Sequence, residues 1–172
     1  MELKTDVFLK GPIWADTIEK IAGKPGKIFA TYWDLYALSI TIGIMYDRQI
    51  ESDDMVPNGY DADPKAIGRN VLGDVRRKTL LEFMLQTALV TTKHLDLSEE
   101  ERLEIAFGTD TELDFNPVAF LTKFANYGVT KIKEVIDDTN DVETLEALMT
   151  FLNDTYESGI VGVDDDVEII EE

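Results

Sequence analysis

The sequence predicts an all-α fold: one compact domain of about five or six helices, placed at residues 1–163, followed by an acidic C-terminal tail at 164–172. Three observations carry this. Apolar residues recur at helical spacing through most long segments. Glycine and proline fall between those segments rather than inside them. At 172 residues and 44% apolar composition, the chain has material for one hydrophobic core.

Taken in order, Asp16–Ala22 reads as a short helix, which Gly23-Lys24-Pro25-Gly26-Lys27 stops in a turn. Thr31 supplies an N-cap hydroxyl with Asp34 three residues on, and Phe29, Trp33, Tyr36, Ala37, Ile40 and Ile44 follow a helical period, giving a helix over 32–47. Leu35, Leu38, Ile42 and Met45 fill its other side, so this helix belongs at the centre of the fold. The β-branched run around Ser39-Ile40-Thr41-Ile42 leaves a strand as the alternative there. Glu51 to Ala66, with Asn58-Gly59 and two prolines, reads as a long loop.

Val71, Leu72, Val75, Leu80, Phe83, Met84, Thr87 and Ala88 trace the apolar stripe of a helix over 71–93. Ser98 and Glu101 form a capping box for a short helix closed by Gly108. Asn116-Pro117 opens a further helix, whose buried stripe is Phe120, Leu121, Phe124, Ala125, Gly128, Ile132, Val135 and Ile136. Asp141 is expected to cap the last helix, with Leu145, Leu148, Met149, Leu152 and Tyr156 buried and Gly159 at its end.

Charge divides the chain unevenly. Acids outnumber bases 35 to 16, a net −19, and residues 101–172 alone hold nineteen acids against four bases. Such a field repels phosphate backbones, so no direct DNA binding is expected through this end, whereas a basic protein partner is favoured. The tail residues Asp164, Asp165, Asp166 and Glu168 are candidate partner-binding groups on this ground. Arg69, Arg76, Arg77 and Lys78, a basic group around the start of the 71–93 helix, are candidates for docking an acidic partner or nucleic acid. Internal pairing with the many acids is the plainer role for those bases.

No Cys is present and only one His, which excludes disulfides, thiolate chemistry and the usual zinc ligand sets. The N-terminus lacks the zones of a signal peptide, and the weakly charged run from Leu35 to Tyr46 is too short to span a membrane, so a cytoplasmic protein without membrane association is expected. Asp110, Glu112 and Asp114 alternate as in a calcium loop, but Phe115 and Leu121 stand where that loop needs Gly and Glu. Gly23–Lys27 lacks phosphate-loop spacing, and the Asp61 and Asp63 pair is too common a pattern to indicate a metal. His94 reads as a surface or capping residue at a helix end. No cofactor, metal or catalytic residue is therefore expected.

Two segments do carry a family likeness. Phe29, Thr31, Asp34 and Leu35 open a helix that reaches Gly43, and Ala125-Asn126-Tyr127-Gly128 precedes the aliphatic Val129. In these features the chain resembles small accessory proteins associated with Dnd-type DNA phosphorothioation and restriction loci. Tyr127 stands where that family has a small residue, and the 51–66 loop and the tail have no counterpart in it. The resemblance implies a non-enzymatic accessory or adaptor role in DNA modification or anti-phage defence and no catalytic residue. The acidic composition points to a second reading, a DNA mimic or inhibitor occupying a partner's DNA-binding cleft.

Overall fold

The computed structural model describes residues 6–25, 27–108, 115–136 and 140–157. The chain is mostly helical, as expected, and each of the six sequence-predicted helices is present. Among the described residues, the additions are a four-residue helix and a two-stranded sheet.

That sheet pairs Val7–Leu9 (β1) antiparallel with Lys65–Ile67 (β2), Val7 opposite Ile67 and Leu9 opposite Lys65. Alternation turns Val7 and Leu9 into the core and Phe8 outward. Between the strands lie two helices. Pro12–Ile21 (α1) starts four residues before the expected Asp16, because a proline at the first helical position brings a suitable φ and no N–H to satisfy. Tyr32–Tyr46 (α2) begins with the Thr31/Asp34 capping box: the Asp34 N–H donates to Thr31 Oγ1 at 3.3 Å and the Thr31 N–H to Asp34 Oδ2 at 3.0 Å.

α2 lies at the centre. Leu35, Tyr36, Ile40 and Ile42 are fully buried and Trp33 nearly so. The strand alternative loses because the Ser39 and Thr41 hydroxyls donate to the Leu35 and Ala37 carbonyls one turn back, at 2.8 and 3.0 Å, satisfying them within the helix.

The 71–93 segment is broken. Arg69–Leu72 (α3) ends at Gly73, and Asp74 then caps Val75–Thr91 (α4) by accepting from the Arg76 and Arg77 N–H groups. Glu99–Phe107 (α5) carries the expected Ser98/Glu101 box and closes at Gly108. Pro117–Ile136 (α6) is capped by Asn116, whose Oδ1 accepts from the Ala119 N–H at 3.0 Å. Its expected stripe is buried, apart from Val135, which is half-buried.

α2 and α6 form the main packing pair. Gly43 and Gly128 sit at the crossing: a Cβ on Gly128 would overlap the Ser39 carbonyl, and one on Gly43 the Phe124 carbonyl. The absent side chains let two helix backbones touch, and Tyr36, Phe124, Val129 and Ile132 close around them.

Two helices bury only part of the rows expected, Met84 and Ala88 in one and Leu148 in the other. In α4 the core takes Leu81, Met84, Leu85, Ala88 and Leu89, leaving Val75, Leu80, Phe83 and Val90 exposed. Both rows have helical periodicity, so the pattern does not say which one faces inward. Asp141–Glu157 (α7) buries Thr144, Leu148 and Thr155, while Leu145, Met149 and Tyr156 are exposed and Leu152 is half-buried. Its cap is Asn140 rather than Asp141: Asn140 and Glu143 exchange backbone-to-side-chain hydrogen bonds, each 3.1 Å.

Candidate functional site

Thr144, Leu148 and Thr155 fix the rotation of α7 against the body of the protein. At 3.6 residues per turn, Leu145, Met149, Leu152 and Tyr156 then form a row about a quarter-turn to one side. Their 4-3-4 spacing is that of a helix-pairing seam. Met149 is 62% and Tyr156 80% exposed, which is high for side chains of this size. Beyond this row come Glu146 and Glu157, with Glu143 and Asp154 further round the helix, and no Lys or Arg occurs anywhere in α7. A shallow depression lined by Leu145, Glu146, Met149, Thr150, Asn153 and Asp154 joins the apolar and acidic strips. The arrangement offers a partner an apolar track with carboxylates along one side.

Of the four basic candidates, Arg69 opens α3 and Arg76, Arg77 and Lys78 lie in the first turn of α4, and they differ in their surroundings. The Arg77 guanidinium lies 6.0 Å from the Trp33 ring centroid and donates to the Val71 carbonyl at 3.4 Å. Lys78 pairs with Glu82 at 3.9 Å. Arg69 and Arg76 are exposed, and the Arg69 backbone N–H donates to Asp6 Oδ1 at 2.8 Å. Asp164, Asp165, Asp166 and Glu168 lie outside the described residues, as do the Asp110–Asp114 acids and Gly159.

His94 has an acidic neighbour that its sequence surroundings do not reveal. Its Nε2 is 3.7 Å from Asp47 Oδ2, and the same oxygen accepts from the Lys93 N–H at 2.9 Å. Asp47 is buried in the left-handed conformation that ends α2, with φ 48°. Arg102 donates to the carbonyls of Thr92, Leu95 and Leu97, so the whole segment is tied down. This is a structural joint between the C-terminal ends of α2 and α4.

The resemblance-bearing residue Asn126 is also structural. Its Oδ1 accepts from the Trp14 indole at 2.9 Å, and its Nδ2 donates to the Ile50 carbonyl at 3.0 Å. Next to it, Tyr127 packs on Tyr46 with centroids 5.8 Å apart, and Lys131 stands 5.7 Å from the Tyr127 centroid. Burial pushes the Tyr127 hydroxyl above its ordinary pKa, while the hydrogen bond to Glu134 raises that of Lys131.

Among the described residues, no three of His, Asp and Glu gather as a metal site, and no helix is long and apolar enough to cross a membrane. No family model, curated protein or solved structure matches the chain.

Proposed function

We propose that this chain is a non-enzymatic adaptor of the cytoplasm that works by protein–protein contact, its partner carrying a basic amphipathic helix. The observation that carries the reading is the α7 flank, where large apolar side chains are left in water beside a row of carboxylates. Burying such a row is favourable by roughly 25 cal/mol per Å² of apolar surface. Lysines or arginines on one edge of the incoming helix answer Glu146 and Asp154, which sets orientation and raises the rate of encounter. The resemblance of the α2 and α6 segments to Dnd-associated accessory proteins supports placing this adaptor in a DNA modification or defence system.

The test is affinity capture with the full chain, repeated with Met149→Lys/Tyr156→Lys. Both positions are exposed, so the variant folds as the parent does, which circular dichroism verifies. The expected partner is lost with the variant and binds more weakly as salt rises. A partner held equally by both proteins refutes the α7 reading. Release of that partner by duplex DNA would instead identify the acidic face as a DNA mimic.

A further inference from the structure

The outer row of α4 is symmetric in its spacing, as the α7 seam is, but it lacks the carboxylates that border α7. Leu80, Phe83, Thr87 and Val90 follow one another at intervals of three, four and three residues. In the structure this row points away from the core, opposite Leu81, Leu85 and Ala88, and Phe83 is 64% exposed. A two-fold axis between Phe83 and Thr87 would set two copies of α4 antiparallel, each Phe83 against its mate's Thr87 and each Leu80 against its mate's Val90. Phe83 would meet the smaller Thr87 and Leu80 the similar-sized Val90, so the two rows can interdigitate along a helix seam. The row spans about 15 Å at 1.5 Å per residue, or about three turns.

Charge selects the same face. In a molecule of net −19, two copies meet with least repulsion where carboxylates are fewest. From Thr79 to Thr91 the only charged residue is Glu82, which pairs with Lys78. The flanking surface extends the apolar area. The Gln86 amide donates to the Ala106 carbonyl at 3.1 Å and holds the end of α5 beside the middle of α4, where Leu103 and Phe107 are also exposed, with the exposed Glu99, Glu100 and Glu104 on the same helix adding negative charge at the edge. An isologous contact needs a self-complementary patch, which this row provides and the uniformly acidic edge of α7 does not.

We infer that the outer face of α4, flanked by α5, is a homodimer interface in which two copies of this chain pair antiparallel about Phe83 and Thr87. The inference is independent of the α7 reading, since it uses a different face and a different occupant. Five partly exposed apolar side chains on each copy make a smaller patch than the ~800 Å² per partner of a standard interface, so the association is weak. Because like charges must approach, added salt strengthens it, the reverse of what salt does to a basic partner on α7.

Sedimentation equilibrium of the full chain tests this, from about 1 to about 200 µM and in about 50 and about 500 mM salt. The expected result is a mass rising from 19.4 kDa toward twice that value, at lower concentration in high salt. Phe83→Glu/Val90→Glu should remain monomeric with an unchanged melt, and Met149→Glu should dimerise as the parent does. Because the chain has no cysteine, mixing Phe83→Cys and Thr87→Cys proteins under mild oxidation should give the mixed disulfide several-fold above an Asn153→Cys control. A parent that stays monomeric in high salt, a dimer that survives the glutamates, or one that Met149→Glu abolishes would each overturn the inference.

Discussion

Gly128→Ala puts the α2–α6 crossing to a quantitative test. Alanine gains about 1 kcal/mol over glycine in a helix interior, so with nothing nearby the substitution would stabilise. Here the new Cβ overlaps the carbonyl oxygen, carbonyl carbon and Cα of Ser39, all backbone in the buried middle of α2. No side chain can turn aside to relieve it. The two helices must separate, and Tyr36, Ile40, Phe124 and Val129 lose contacts that stay empty because water cannot enter so small a gap. Overpacking typically costs about 1–3 kcal/mol, and a clash with backbone belongs at the upper end of that range, so after the propensity gain a net loss of roughly 2 kcal/mol is expected. For a chain of this length that lowers Tm by about 4–8 °C.

Urea unfolding followed by Trp14 and Trp33, both buried, measures the loss directly. Gly59→Ala is the control: its Cβ would meet no atom within 4 Å, but φ is 82°, so it should lose about 1 kcal/mol from left-handed backbone alone. Gly43→Ala should resemble Gly128→Ala, and the double variant should lose less than the two together, since the crossing is opened once. A Gly128→Ala protein as stable as the parent would refute the close backbone contact.

Three further outcomes are expected. Asn126→Ala strands the Trp14 indole N–H and the Ile50 carbonyl, and urea unfolding should register a loss of roughly 2–4 kcal/mol. Burial holds the Tyr36 hydroxyl well above the ordinary tyrosine pKa, so the folded state keeps a proton that the unfolded state gives up; stability is complete below about pH 10 and falls as pH rises beyond it. Tyr36→Phe should flatten that alkaline limb in pH-dependent unfolding while costing about 1 kcal/mol at neutral pH through the lost bond to Thr122. Hydrogen bonds from Ser98 hold the Glu101 carboxyl below its ordinary pKa, so in an NMR titration Ser98→Ala should move it up and speed amide exchange through α5.

Local chemistry made much of this fold legible. The Thr31/Asp34 and Ser98/Glu101 boxes and the Asn116-Pro117 start each satisfy helix-end N–H groups through neighbours in sequence. The inward row of α6 was legible too, because its other face is polar enough to leave one choice. The choice failed where a helix carries two apolar rows. In α4, Leu81/Leu85/Ala88 and Leu80/Phe83/Val90 are both periodic, and only contact with the rest of the chain decides between them. In α7 the apolar arc is wider than the strip that packs inward. The His94–Asp47 joint and the β1–β2 pair join residues 47 and about 60 positions apart, a separation that no local pattern encodes. The surplus apolar rows that defeated the burial assignment are the same rows that point to function.

The two candidate surfaces differ in the one quantity that separates their roles, local charge. On α4 the apolar row lies in a stretch with a single, paired carboxylate, so contact there is opposed by the α5 glutamates at its edge and the overall charge of the molecule, and improves as salt screens them. On α7 the row borders carboxylates, so contact improves with positive charge on the partner and declines as salt rises. Two copies joined through α4 would present two acidic α7 flanks, and a partner with two basic helices would gain avidity without any new contact. That coupling has a definite signature. Phe83→Glu/Val90→Glu should leave the affinity for a single basic helix unchanged and weaken binding only to a partner that carries two. Equal weakening for both would mean that the substitutions disturb α7 itself, and the faces could then no longer be treated as independent.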